Sequence, residues 1–285
     1  MAMSFLISVD AQSIAIPPPD SLNLKQASYF GRVLLKGPTL KQALAFLESN
    51  FSLLDVLVDA TAIEDVGDVV DILNAGAASV FVTLPQLRTL SREQNIPSSR
   101  LIVTLDSGED VEALQSWIAE KPEHREVGVH SVAEPSIDPL VSEFGDNSVS
   151  KAVYRSYSKS ASLTDLLVNE QEHVISVIPS TALSVDHEER SPVKLLLSGA
   201  SPDATTGLYA TVVTDERGIA LGFVWSSEKS ISEAIRTGQG VYQSRKRGLW
   251  YKGASSGDVQ ELVRVGFDCD NDCLLFVVRQ KGRGK

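Results

Sequence analysis

Leu101-Ile102-Val103-Thr104-Leu105-Asp106-Ser107 runs directly into the amphipathic stretch Glu109–Glu120. Its first five residues are a short, β-branched-rich apolar run of the kind that lies buried on both faces of a parallel sheet. Asp106 and Ser107 then offer side-chain oxygens to the free amides of a helix start, with Asp106 the expected cap. One strand, one cap and one helix make a βα unit. Similar strand-like runs precede it at Phe30–Leu35, Leu54–Val58 and Ser79–Leu84. The amphipathic stretches Leu40–Phe51 and Asp65–Asn74 alternate with them, and Gly76 stops the second. The N-terminal residues up to Asp10 read as a first strand, and Val127–Val132 continues the series. A helix near Leu163–Asn169 and a strand at Val174–Pro179 extend it. Repeated βα units imply a parallel sheet, open or half-barrel-like. This α/β domain is expected over residues 1–190, with an irregular Ser- and Asp-rich connection near 138–162.

Composition bounds what such a chain does. Its 285 residues are 43% apolar and 22% charged, enough for a sizeable core and for two domains. A net charge of −11 argues against nucleic acid and anionic membranes as partners. The charge is unevenly spread: Arg236–Lys285 carries 10 Lys/Arg against 5 Asp/Glu, net +5, which leaves −16 on residues 1–235. A basic segment in an acidic protein suits a small anionic ligand. The start has no basic region and only a short apolar run, unlike a signal peptide. No apolar run approaches a membrane span. Two cysteines four residues apart build no disulfide framework, so a cytoplasmic location is expected.

The α/β region has few chemical signals. Asp59 and Asp106 end predicted strands, where α/β folds place catalytic groups, but no glycine-rich phosphate loop accompanies them. His124, His130, His173 and His187 share no ligand spacing, and packing or surface roles are expected.

A boundary falls at Asp186–Asp203, where no regular pattern holds, and the character then changes. Leu208–Thr214, the turn Asp215-Glu216-Arg217-Gly218 and Ile219–Trp225 read as a hairpin. Ser226 and Ser227 cap a short helix, Glu228–Arg236, stopped by Gly238. Gly240–Ser244, Leu249–Tyr251, Val259–Phe267 and Leu274–Val278 are further strands. A small, mostly β domain is therefore expected over residues 203–285.

That domain holds the promising residues. In Ser244-Arg245-Lys246-Arg247-Gly248-Leu249-Trp250-Tyr251-Lys252-Gly253-Ala254-Ser255-Ser256-Gly257, the cations Arg245, Arg247 and Lys252 suit phosphate, above all the forked guanidinium groups. Gly253 and Gly257 let the backbone turn tightly and present amide and hydroxyl donors. Trp250 and Tyr251 can stack on a planar base. The plainer alternative is a solvated basic hairpin and a polar turn. In Asp268-Cys269-Asp270-Asn271-Asp272-Cys273, an extended backbone aims three carboxylates at one face, where a hard cation such as Mg²⁺ would neutralise them. Cys269 on the other face suits a softer ion such as Zn²⁺. The alternative is an exposed acidic turn between two strands. A calcium loop is excluded, because Cys273 and Arg279 stand where glycine and glutamate belong. Gly238-Gln239-Gly240-Val241-Tyr242-Gln243 lacks the last glycine of a dinucleotide fingerprint.

The order Gly240–Gly257 followed by Asp268-Cys269-Asp270-Asn271-Asp272 resembles phosphoribosyl-AMP cyclohydrolase of histidine biosynthesis, over about residues 204–284. With its long N-terminal extension, the chain is most similar to the front of the fungal trifunctional histidine-biosynthesis proteins. There a pyrophosphohydrolase and a histidinol dehydrogenase follow. Ala75–Val82 bears a weaker resemblance to the half-barrel repeats of other histidine-pathway enzymes. The resemblance implies a hydrolase in which a zinc-bound water attacks C6 of the adenine ring of phosphoribosyl-AMP and opens the N1–C6 bond. It implies a homodimer with its metal sites at the subunit interface. It assigns Asp268, Asp270 and Asp272 to Mg²⁺ and Cys269 to Zn²⁺. Ser244, Arg245, Arg247, Trp250, Lys252, Ser255, Ser256 and Gly257 fall in the substrate-holding motifs.

Departures from the common pattern set the limits of that reading. Lys246, Ala254 and Ser255 replace a serine, a glutamate and a threonine, so no glutamate serves as base at position 254. The family continues into Cys-His and a further Cys that complete the zinc site, whereas this chain ends at Lys285. A catalytic zinc takes three protein ligands. The expectation is a truncated chain of weak or no activity, the alternative being a non-catalytic nucleotide-binding module. Cys273 is expected to belong to the core.

Overall fold

The computed structural model describes residues 5–50, 54–92, 96–132, 152–156, 174–268 and 271–282. The chain divides into two compact units. One comprises Ser4–Pro17 and Arg32–Pro179, the other Met1–Met3, Pro18–Gly31 and Ser180–Lys285.

Eight parallel strands close the first unit into a barrel in chain order. They are β1 (Phe5–Asp10), β2 (Arg32–Lys36), β3 (Asp55–Asp59), β4 (Ser79–Val82), β5 (Leu101–Leu105), β6 (Gly128–Val132), β7 (Val153–Ser156) and β8 (Val174–Pro179). β8 pairs back onto β1 with Val177 opposite Leu6. The parallel α/β reading holds, and the sheet goes further than an open or half-closed one. Strand alternation turns Leu6, Leu34, Leu57, Phe81, Ile102, Tyr154 and Val177 into one packed apolar cluster.

Helices α2 (Leu40–Asn50), α3 (Val66–Asn74), α4 (Leu84–Leu90) and α5 (Gly108–Glu120) each bury one stripe against the strands they follow or precede. Val69, Ile72 and Leu73 form the stripe of α3, and Val111, Leu114 and Trp117 that of α5. Burying each such side chain contributes about 1.5–3 kcal/mol. Asp65 caps α3 by accepting from the Gly67 amide at 2.8 Å.

Three sequence expectations are corrected here. Ser107, not Asp106, caps α5, accepting from the Asp110 amide, because the Asp106 amide is instead held by the Asp110 carboxylate. The run Ser79–Leu84 is a strand only to Val82. Thr83 and Gln86 form a capping box that starts α4 at Leu84, so local capping overrides apolar continuity. The stretch 138–162 contains β7, whose Val153 and Tyr154 are buried. Most of that stretch, and the helix expected near Leu163–Asn169, lie outside the described residues.

The second unit begins with α1 (Leu24–Ser28), a single turn closed by the Asn23/Gln26 capping box. α6 (Pro192–Leu197) interrupts the segment expected to be irregular at Asp186–Asp203, and its Val193, Leu195 and Leu196 are buried. Four strands follow in the order β10-β9-β14-β13: β9 (Tyr209–Thr214), β10 (Ala220–Ser226), β13 (Gln260–Phe267) and β14 (Cys273–Gln280). β11 (Val241–Ser244) and β12 (Gly248–Tyr251) form a separate hairpin. α7 (Glu228–Thr237) is capped by Ser227 and ends at Gly238, whose φ of 68° is the left-handed conformation that favours glycine. Ile231, Ala234 and Ile235 bury its inner face.

Candidate functional site

The β11–β12 hairpin aims three cations outward. Ser244 pairs with Gly248 across its end, and the Arg247 amide donates to the Ser244 hydroxyl at 3.2 Å. Arg245, Lys246 and Arg247 therefore form an exposed tip. It is more ordered than a solvated hairpin, because the Arg245 guanidinium sits 5.7 Å over the Trp225 ring of β10. Asp203 lies close to Arg245 electrostatically. Its carboxylate is held below the usual range by the Thr206 hydroxyl and amide, with the Thr205 amide and Arg245 adding to the effect.

The acidic segment is the turn joining β13 to β14. Phe267 pairs with Leu274, the Asp268 amide donates to the Cys273 carbonyl at 3.0 Å, and Asp268 Oδ1 accepts from the Cys273 amide at 3.2 Å. Asn271 has φ of 62°, so the backbone at that position departs from the extended form expected for the segment. Asp268 and Asp272 are exposed, and Cys269 and Asp270 lie outside the described residues. Among the described residues no three His, Cys, Asp or Glu side chains are placed to hold a metal ion. Cys273 is half-buried at the start of β14, in register with Ala210.

The glycine-bracketed loop takes a different place. Gly253 has φ of 84°, and a Cβ there would stand 2.4 Å from the Asp258 carbonyl carbon and the Val259 nitrogen. The Gly257 amide closes the loop onto the Gly253 carbonyl at 2.8 Å. Ala254, Ser255 and Ser256 are left exposed between them. Lys252 Nζ lies 5.4 Å over the Trp250 ring, and Trp250 itself tilts against Tyr242. Tyr251 does not face an open platform, because its hydroxyl donates to Glu233 at 2.6 Å.

Strand register separates these pieces into two groups. Trp225, Ala210 and Cys273 lie in one row across the sheet, so the Arg245 tip and the acidic turn share one end. Gln260 pairs with Gln280 at the other end, beside the Gly253–Gly257 loop. The length of β13 separates the two groups by roughly 20 Å.

Residues 223–284 match the family model described as phosphoribosyl-AMP cyclohydrolase. This segment is a phosphoribosyl-AMP cyclohydrolase domain. The chain is 36% identical over 297 aligned positions to the Neurospora crassa histidine biosynthesis trifunctional protein, covering 99% of this chain and 32% of that protein. It is 38% identical to the Schizosaccharomyces pombe histidine biosynthesis bifunctional protein his7, over 81% of this chain and 57% of that one. A phosphoribosyl-AMP cyclohydrolase of Roseobacter denitrificans is 45% identical over 78 residues, 27% of this chain and 61% of that protein. The chain thus spans about a third of the length of the first of these fungal relatives and just over half of the second.

The cyclohydrolase domain also contains a buried relay that sequence reasoning missed. Tyr242 donates to Gln260 Oε1 at 2.6 Å, and Gln260 Nε2 donates to Gln280 Oε1 at 3.0 Å. Gln280 Nε2 then reaches the carbonyls of Val259 and Lys281. Burial pushes the Tyr242 phenol far up, so it remains a donor. Its sequence signal was two glutamines at the terminal positions of paired apolar strands. The Gln280 amide, held by Gln260, satisfies backbone carbonyls where the Gly253–Gly257 loop joins the sheet, and so fixes the loop's base.

Proposed function

We propose that this domain serves histidine biosynthesis by hydrolytic opening of the N1–C6 bond of phosphoribosyl-AMP. The match over residues 223–284 carries the reading, because it spans the Arg245 tip, the Gly253–Gly257 loop and the acidic turn together. Arg245, Arg247 and Lys252 supply charge for the phosphate, with Ser244, Ser255, Ser256 and the Gly257 amide as neutral donors. The half-buried Trp250 ring offers a face for the adenine. The exposed carboxylates of Asp268 and Asp272 are hard oxygen donors that fit Mg²⁺, joined by Asp270, and the Cys269 thiolate fits Zn²⁺. A bound zinc would supply the acidity that makes water a nucleophile at neutral pH.

The wide separation of loop and turn favours a homodimer, in which one chain's loop meets the partner's acidic turn. β10 is an edge strand, and its Leu221 and Phe223, with Ile219 just before it, are exposed at 41%, 61% and 58%. Such apolar side chains on an edge are a surface for another copy to cover. The same reading places the protein in the cytoplasm. Among the described residues no helix is long and apolar enough to cross a membrane.

The test supplies Zn²⁺ and Mg²⁺ to the purified chain and follows ring opening by absorbance, with calorimetry of phosphoribosyl-AMP binding in parallel. Turnover abolished by Cys269→Ser supports the hydrolase. Binding without turnover supports a nucleotide-binding module derived from it, and neither would overturn both.

A further inference from the structure

The barrel's interior changes character along its axis. Beyond the apolar cluster, inward positions toward the strands' C-terminal ends are polar on six strands. They are Ser8 and, one layer further out, Asp10 of β1, with Lys36 of β2, Asp59 of β3, Thr104 of β5, His130 of β6 and Ser156 of β7. A barrel built for stability alone fills such layers with Val, Ile and Leu, and polar groups at this end of parallel barrels hold ligands.

These groups are arranged as well as present. His130 is 6% exposed, with its Nε2 2.7 Å from the Ser156 hydroxyl and its Nδ1 3.1 Å from the Thr104 hydroxyl. Phe81 packs edge-on against the ring at 4.9 Å. The imidazole and two hydroxyls thus form a neutral, hydrogen-bonding wall on one side of the mouth. On the other side Asp10 pairs in register with Lys36, and Asp59 stands one position beyond the Leu35–Val58 pair. Three adjacent strands therefore carry negative, positive and negative side chains at one level. Asp10 is exposed and Lys36 and Asp59 are half-exposed; Asp10 Oδ1 accepts from the Gln12 amide at 2.8 Å and Asp59 Oδ1 from the Thr61 hydroxyl at 2.6 Å, so each carboxylate is held in place by its own loop. Neighbouring strands lie about 4.8 Å apart. That spacing suits a molecule whose opposite charges are separated by one or two bonds.

We propose that the C-terminal mouth of the barrel is a second ligand site, distinct from the cyclohydrolase domain, that binds a small zwitterion of the α-amino-acid class. Its carboxylate is met by Lys36 and its ammonium by Asp59, with Asp10 as a second acceptor. The side chain of the ligand lies toward His130, Thr104 and Ser156, which accept and donate hydrogen bonds without adding charge. A simple anion has only Lys36 to bind and two carboxylates to avoid. A divalent cation lacks a ligand set here, since no three acidic or imidazole groups converge among the described residues.

The test titrates each common L-amino acid into the purified full chain by calorimetry, with inorganic phosphate as the anion comparator. At least one amino acid is expected to bind with a dissociation constant of about 1 mM or tighter. Lys36→Met and Asp59→Asn are each expected to weaken it tenfold or more with an unchanged circular dichroism spectrum. The carboxamide of the same amino acid is expected to lose affinity for the native chain but not for Lys36→Met. No binding at about 10 mM by any amino acid, equal binding by phosphate, or indifference to both substitutions would each overturn the proposal.

Discussion

Gly253 and Asp258 approach so closely that a single added carbon has nowhere to go. A Cβ at Gly253 would stand 2.4 Å from the Asp258 carbonyl carbon, while one at Gly257 meets nothing within 4 Å. Both have left-handed φ, 84° and 80°, so both substitutions carry the cost of that conformation, about 1 kcal/mol. Gly253→Ala adds a backbone collision and is expected to cost at least ~2 kcal/mol more than Gly257→Ala. Urea unfolding of the two variants checks the order. A larger loss for Gly257→Ala would mean the loop closes differently.

Arg245 and Trp225 form a pair on the exposed end of the sheet. The ring holds the guanidinium 5.7 Å above its face, a contact worth ~0.5–1 kcal/mol at such a site. If the ring positions the cation for phosphate, Trp225→Ala weakens phosphoribosyl-AMP binding about two- to fivefold, and Arg245→Ala weakens it more. The double variant is expected to lose less than the sum of the two. Additive losses in calorimetry would show that Trp225 acts independently of Arg245.

The strands and helices of the barrel were legible because their apolar spacing changes between period two and period 3.6 at each cap. Closure was not. It depends on β7, a four-residue strand inside a Ser- and Asp-rich stretch, and on pairing between the first and last strands. Thr83 and Gln86 spell a capping box that outranks the apolar residues on either side, and the sequence reading missed it. In the cyclohydrolase domain, residue types marked the groups proposed for substrate and metal. Their distribution to two ends of β13 follows from register, which no local pattern encodes. The Tyr242–Gln260–Gln280 relay joins three different strands, and Tyr251 is claimed by Glu233 on a helix. Such long-range partners leave no signature in neighbouring residues.

Phe223 tests the proposed second copy. It is 61% exposed on the edge strand β10 and stands edge-to-face with Trp225 at 5.9 Å. Phe223→Asp places a charge on the most exposed of the apolar side chains of this edge and is expected to leave the fold intact, since the side chain is not in the core. Sedimentation velocity is expected to show a dimer for the native chain and a monomer for the variant, with turnover lost alongside the dimer. Activity in a monomer would refute the shared site.

His130 gives the barrel a pH signature with a definite sign. Burial pushes its pKa down to about 4 from an ordinary value of 6.5, with Asp59 opposing the shift and Lys36 reinforcing it. The folded barrel therefore keeps the imidazole neutral while the unfolded chain protonates it below pH 6.5. The group's contribution is fully present above pH 6.5 and is lost as the pH falls toward 4. Between pH 7.5 and 5 the loss is about 2 kcal/mol. His130→Gln removes the titration while keeping groups for Ser156 and Thr104. Hydrogen exchange of the β5–β7 amides, corrected for intrinsic rates, is expected to show that loss of protection in the native chain and to lack it in the variant. Equal pH dependence in both would mean that His130 is already accessible to protons in the folded barrel.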